Sequence, residues 1–174
     1  VWGKLYLREL IEKTDIRFTD LRRIGTYEDG LFNLHYLAQV RSAIYIPDYL
    51  SHYRKNSGMT SKYRKKLASQ WKNLFSDMRT YIEEEKCGSD FENALNNRIS
   101  LSIIGLGLNA LALPSREALK EIRAILSGQE YRAAIKSLPM RYFPPHWWVF
   151  FACCKMNFAA GVFLLLRCIE RMKR

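Results

Sequence analysis

With 174 residues, 48% of them hydrophobic, the chain is too apolar for a disordered tail and long enough for one compact domain, or one domain with a helical appendage. Its four cysteines, Cys87, Cys153, Cys154 and Cys168, make no C-x-x-C pair. With no secretory signal at the start, that spacing argues against a disulfide framework or a structural zinc site and sets a reduced, cytoplasmic setting as the expectation. The net charge of +11 is local: residues 49–76 hold seven Lys/Arg and no acid, and residues 131–174 hold eight against Glu170 alone. Two such zones suit anionic partners, whether nucleotide phosphates, a nucleic-acid backbone or anionic lipid.

In chain order, residues 5–13 place Leu5, Leu7, Leu10 and Ile11 among charges and predict a short helix that stops near Thr14-Asp15. Residues 28–40 repeat the pattern with Leu31, Phe32, Leu34, Tyr36 and Leu37. The acids Glu28 and Asp29 at the start favour the positive end of a helix, which puts Asp29 on its first turn. Ala43-Ile44-Tyr45-Ile46, closed by Pro47-Asp48, predicts a short strand, and residues 49–54 alternate well enough for a second, with His52 near its end.

From Thr60 onward the pattern is helical almost throughout. Thr60-Ser61 can cap a long helix to about Glu85, with Leu67, Trp71, Leu74, Phe75, Met78 and Ile82 recurring at three and four residues. Residues 91–113 predict a second long helix, whose stretch 99–113 is apolar enough for the middle of a bundle. Pro114-Ser115 breaks it, and residues 116–126 form an amphipathic helix stopped by Gly128. The last third then packs six aromatics around Pro144-Pro145 between Tyr142 and Phe151, and closes on apolar 162–166 and basic 171–174. Lys155 and Asn157 keep the apolar runs below the ~20 residues that cross a bilayer. Two settings fit these helices: an interfacial one, with Trp at headgroup level and Lys/Arg toward anionic lipid, or the core of the bundle.

Several of these segments form an ordered set: residues 1–11 opening Val1-Trp2-Gly3-Lys4-Leu5-Tyr6, then Ile16-Arg17-Phe18, then Tyr27-Glu28-Asp29 with Leu31-Phe32, then 44–50 and His52-Tyr53-Arg54. In order and spacing the set resembles the C-terminal half of a family-2 glycosyltransferase of GT-A fold, over residues 1 to about 61. The resemblance implies an α+β, mostly α chain. Residues 1–60 would be the acceptor-side remnant of a GT-A α/β domain, with short strands and two helices, and residues 61–174 a helical extension that docks on a membrane or a partner.

The resemblance also implies roles. Inverting transfer from a nucleotide sugar needs a carboxylate to take the acceptor hydroxyl's proton, and Asp29 is that base, with Glu28 binding acceptor hydroxyls. On the residues alone both acids have a second reading, as a helix cap. His52, Arg54 and Lys55 would meet the departing diphosphate, Arg54 by bidentate contact, and His52 is also the candidate ligand for Mn²⁺ or Mg²⁺. Trp2 would line the acceptor side by stacking on a sugar, against core packing as its alternative; Lys4 and Tyr6 are read as structural.

No Asp-x-Asp motif occurs, and Val1 begins inside a motif. The expectation is therefore a fragment, inactive by itself and without a tightly bound ion. The full-length parent would use a nucleotide-sugar donor and a glycan or lipid-linked acceptor in surface-polysaccharide synthesis. It would be cytoplasmic, extending to a peripheral place at the inner face of the cell membrane. Two alternatives stand beside it. One is a basic helical nucleic-acid-binding module with Tyr53, Tyr63 and Trp71 as stacking partners, disfavoured by the lack of any recognition motif; no specific nucleic acid is expected. The other is a non-catalytic docking domain on a membrane or partner.

Overall fold

The computed structural model describes residues 3–48 and 63–172. Contacts divide the chain into two units, Val1–Gly58 with Lys66–Gly88, and Met59–Lys65 with Ser89–Arg174. The helical extension expected from about residue 61 is thus shared between them.

The first unit contains α1 (Arg8–Thr14), α2 (Leu21–Ile24), α3 (Glu28–Ala38) and α4 (Leu67–Glu84). Helix α1 ends where Asp15 turns left-handed at φ 50°. Four residues are too few for α2 to persist unaided, because the first helical turn costs more backbone entropy than its hydrogen bonds return. Side chains of α4 hold it instead: Gln70 Nε2 donates to the Arg22 carbonyl and Asn73 Nδ2 to the Arg23 carbonyl, both at 3.2 Å. Arg23 Nε donates to Asp77 Oδ2 at 3.0 Å. Gly25 ends α2 at φ +77°, a backbone conformation that favours glycine, and any side chain there would also displace the Gln70 amide. Helix α4 buries the apolar stripe read from its periodicity, Leu67, Trp71, Leu74, Phe75, Met78 and Ile82. Ile16, Phe32 and Tyr36 form a second cluster, against which Tyr6, Leu10 and Ile11 pack.

The second unit contains α5 (Ser89–Ala110), α6 (Ser115–Ser127), α7 (Gln129–Ser137), a 3-10 turn (Met140–Tyr142), α8 (Pro145–Lys155) and α9 (Ala159–Met172). Helix α5 is the hub, packed on α6, α7 and α9. Ile99, Ile103, Leu106 and Ala110 are buried along it, in keeping with the central position its composition predicts. The hydroxyls of Ser100 and Ser102, also buried, donate to the Asn96 and Ile99 carbonyls at 2.9 and 2.6 Å, so neither leaves an unmet polar group. Asn109 pins the preceding segment as a backbone mimic: the Arg64 N–H donates to its Oδ1 at 2.9 Å, and its Nδ2 donates to the Arg64 carbonyl at 3.2 Å.

The α+β expectation is corrected here. Among the described residues every regular element is helical and no strand occurs. The predicted strand at residues 43–46 has no regular structure, with Ile44 91% and Tyr45 86% exposed. A β-branched and aromatic run becomes a strand only where a neighbour pairs its backbone and covers its side chains; β-propensity measures that fit and little else. The second predicted strand, residues 49–54, and the cap at Thr60-Ser61 lie outside the described residues. A GT-A remnant built on short strands therefore does not describe this chain. Among the described residues no helix is long and apolar enough to cross a membrane.

Candidate functional site

The acid pair sits where its sequence position implies. Helix α3 begins at Glu28, so Glu28 and Asp29 occupy its first turn, both half-buried, where unpaired backbone N–H groups and the helix dipole favour carboxylates. The residue before them is unusual. Tyr27 is left-handed at φ 69°, a conformation that costs a bulky side chain about 1–3 kcal/mol, and it supplies no side-chain cap bond. Its ring lies edge-on to the buried Trp71, with centroids 6.0 Å apart, and its carbonyl accepts from the Leu31 N–H at 3.0 Å. Packing against α4 thus anchors the start of α3, the turn that carries both acids.

Asp29, Asn33 and Tyr36 follow at i, i+4 and i+7 and share one face of α3. The segment ahead of α1 lies along that face. The Tyr6 hydroxyl donates to Asn33 Oδ1 at 2.7 Å, and the Leu7 N–H donates to the Tyr36 hydroxyl at 2.7 Å. The Tyr6 ring meets Phe32 and Tyr36 edge-on, centroids 5.6 and 4.9 Å away. Burial pushes the Tyr6 hydroxyl above its ordinary value of 10.0, and the Asp29 carboxylate and Tyr36 push it further. The Tyr6 phenol and the Asp29 carboxylate therefore share one side of α3, with the phenol's one O–H committed to Asn33. Tyr6, read from sequence as structural, packs and hydrogen-bonds within this cluster.

Of the other residues singled out in the sequence, Trp2, His52, Arg54 and Lys55 lie outside the described residues, as does Tyr53. Lys4 is exposed. The structure thus places Asp29 near Tyr6, with Glu28 adjacent to Asp29 on the same first turn. The Mn²⁺ or Mg²⁺ expected from the resemblance has no donor set among the described residues: no group of three His, Cys, Asp or Glu there could hold an ion. Of the stacking partners weighed for nucleic acid, Trp71 is 7% exposed and committed to the core, and Tyr63 lies beside the Glu121 carboxylate, which with burial pushes its hydroxyl pKa up.

In the other unit a concavity spans about 720 Å³ between the end of α6, α7 and the end of α8. Arg132 and Lys136 line it, as does Lys155, whose Nζ donates to the Leu138 carbonyl at 3.0 Å and so caps α7. Compared with known proteins, the chain matches no family model, no curated protein and no solved structure. The resemblance to the GT-A glycosyltransferases is accordingly withdrawn: no family match supports it, and the described residues carry no strand for its sheet.

Proposed function

We propose that the protein carrying this chain transfers a sugar from a nucleotide-sugar donor to a hydroxyl of a glycan or lipid-linked acceptor, with Asp29 taking the acceptor's proton. The observation that carries this reading is the placement of Asp29: a half-buried carboxylate on the first turn of α3, on a face shared with Asn33, to which the Tyr6 hydroxyl donates. In this reading the acceptor hydroxyl attacks the sugar carbon on the side opposite the diphosphate. The new C–O bond forms as the bond to the diphosphate breaks, and the hydroxyl proton passes to Asp29. Glu28 accepts hydrogen bonds from neighbouring acceptor hydroxyls. The negative charge that grows on the diphosphate falls to His52, Arg54 and Lys55, cations and donors suited to it by chemistry. In the full-length protein a Mn²⁺ or Mg²⁺ ion, with His52 as a candidate ligand, would supply further neutralisation of that charge.

The competing reading of the acid pair, a helix cap and nothing more, is separated by experiment. Asp29→Asn keeps a polar side chain on the first turn and removes the base. Transfer across a panel of nucleotide sugars is expected to fall about 10²-fold or more, the usual contribution of a general base, with donor binding retained. Unchanged transfer would remove Asp29 from the reaction.

A further inference from the structure

Helix α8 is nearly all apolar: from Pro145 to Cys154 it carries no Lys, Arg, Asp or Glu, and His146 is its one strongly polar side chain. Such a helix belongs either wholly inside a protein or against lipid. Half of it is accounted for. Phe150, Phe151, Cys153 and Cys154 are buried, with Phe151 against Phe143 at 4.7 Å between centroids and Phe150 edge-on to Trp147 at 5.6 Å. The other half is not. Pro145, Trp148, Val149, Ala152, Lys155 and Met156 fall within an arc of roughly 120° at 3.6 residues per turn, and Trp148 and Met156 in it are 50% and 69% exposed. Phe158, just beyond, is 53% exposed.

We infer that this outward arc of α8 is a membrane-docking surface, lying flat in the interfacial region of an anionic bilayer. Charge and geometry choose this occupant over a soluble partner. The segment 131–174 carries eight Lys/Arg against one acid, so its surroundings attract an anionic layer. Arg141, exposed one turn ahead of α8 with its guanidinium 4.6 Å from the centre of the exposed Tyr142 ring, places a cation at the start of the apolar arc. Trp148 stands on that arc, the side chain best suited to the headgroup boundary. Eleven residues span about 16 Å, too short to cross a bilayer and long enough to lie in its surface. Pro144-Pro145 starts the helix sharply, with the Trp148 N–H donating to the Pro144 carbonyl at 2.9 Å, so the arc is presented by a fixed helix start. This inference rests on the second unit alone and stands or falls separately from sugar transfer.

The test is co-sedimentation of the full chain with vesicles of equal parts phosphatidylglycerol and phosphatidylcholine, and with phosphatidylcholine alone. Binding is expected to the anionic vesicles, weaker to the neutral ones, and about tenfold or more weaker for the double variant Trp148→Ser/Met156→Ser. Both replaced side chains are exposed, so the circular dichroism of that variant should match the wild type. Arg141→Gln, equally exposed, should weaken binding to anionic vesicles while leaving the neutral ones unaffected. Three results would overturn the inference: no binding to either vesicle, equal binding by the double variant, or a concentration-dependent self-association that the double variant abolishes, which would make the arc an interface between copies.

Discussion

Replacing Gly107 by alanine is a sharp test of how closely α5 packs on α9. In a free helix the change would stabilise by about 0.5–1 kcal/mol, because glycine loses more backbone entropy than alanine. Here the added Cβ would lie 2.4 Å from Leu166 Cδ1. Ordinary contact begins near 3.4 Å, so Leu166 must give by 3.4 − 2.4, or 1.0 Å. Leu166 is fully buried, so its displacement must be taken up by its core neighbours. Overpacking of this kind costs about 1–3 kcal/mol, which offsets the propensity gain and leaves a net loss of up to roughly 2.5 kcal/mol. Leu166→Ala alone removes buried methyls and costs about 2–5 kcal/mol. In the double variant the alanine at 107 no longer meets Cδ1 and partly fills the space left behind, so its loss should fall short of the sum of the singles by about 1–2 kcal/mol. Guanidinium unfolding followed by circular dichroism measures all four proteins. A Gly107→Ala midpoint at or above the wild type, or strictly additive losses, would refute the close approach.

Other expectations follow from the ionisable groups. Burial holds His35 below its ordinary value of 6.5, against the opposing pull of Asp77 and Glu85, with its ring 4.2 Å from that of Tyr81. A histidine depressed in the folded state contributes stability that is complete above 6.5 and lost as pH falls through the folded value. His35→Gln should therefore flatten the decline in unfolding free energy on acidification below 6.5, and an unchanged slope would place the sensitivity elsewhere. Tyr131 is pushed up to about 12, by burial first and then by Glu130, so ultraviolet titration should find one tyrosine still protonated well after an ordinary phenol has ionised. Tyr131→Phe should remove that late phase. Thiol labelling of the native chain should modify exposed Cys168 first and half-buried Cys87 next. Cys153 and Cys154 should react only on unfolding, because both are buried and burial, with Cys153 beside it, pushes the Cys154 thiol up.

How much of this was legible in the sequence varies by element. Helices α4, α5 and α6 were readable because their stripes run for several turns, and a long 3.6-residue period is hard to satisfy otherwise. Helix α2 was not, since its stability comes from Gln70, Asn73 and Asp77, about fifty residues away. Helix α7 was hidden because Gly128, read as a stop, both ends α6 and starts α7. The strand expected at Ala43-Ile44-Tyr45-Ile46 failed because side-chain type sets a preference and a paired neighbour decides the outcome. At the candidate site, Asp29 could be placed on a first turn from local sequence alone. Tyr6 could not, since its bond to Asn33 spans 27 positions.

The most direct test of Asp29 as the base compares Asp29→Asn with Glu28→Gln in one transfer assay. The two carboxylates are adjacent on the same first turn and equally able to favour the helix dipole. A capping role predicts similar, small effects from both on stability and none specific to transfer. A base at position 29 predicts transfer lowered about 10²-fold or more by Asp29→Asn at unchanged donor affinity, with a smaller loss, expressed mainly in acceptor KM, from Glu28→Gln. Equal transfer by wild type and Asp29→Asn would contradict the proposed chemistry.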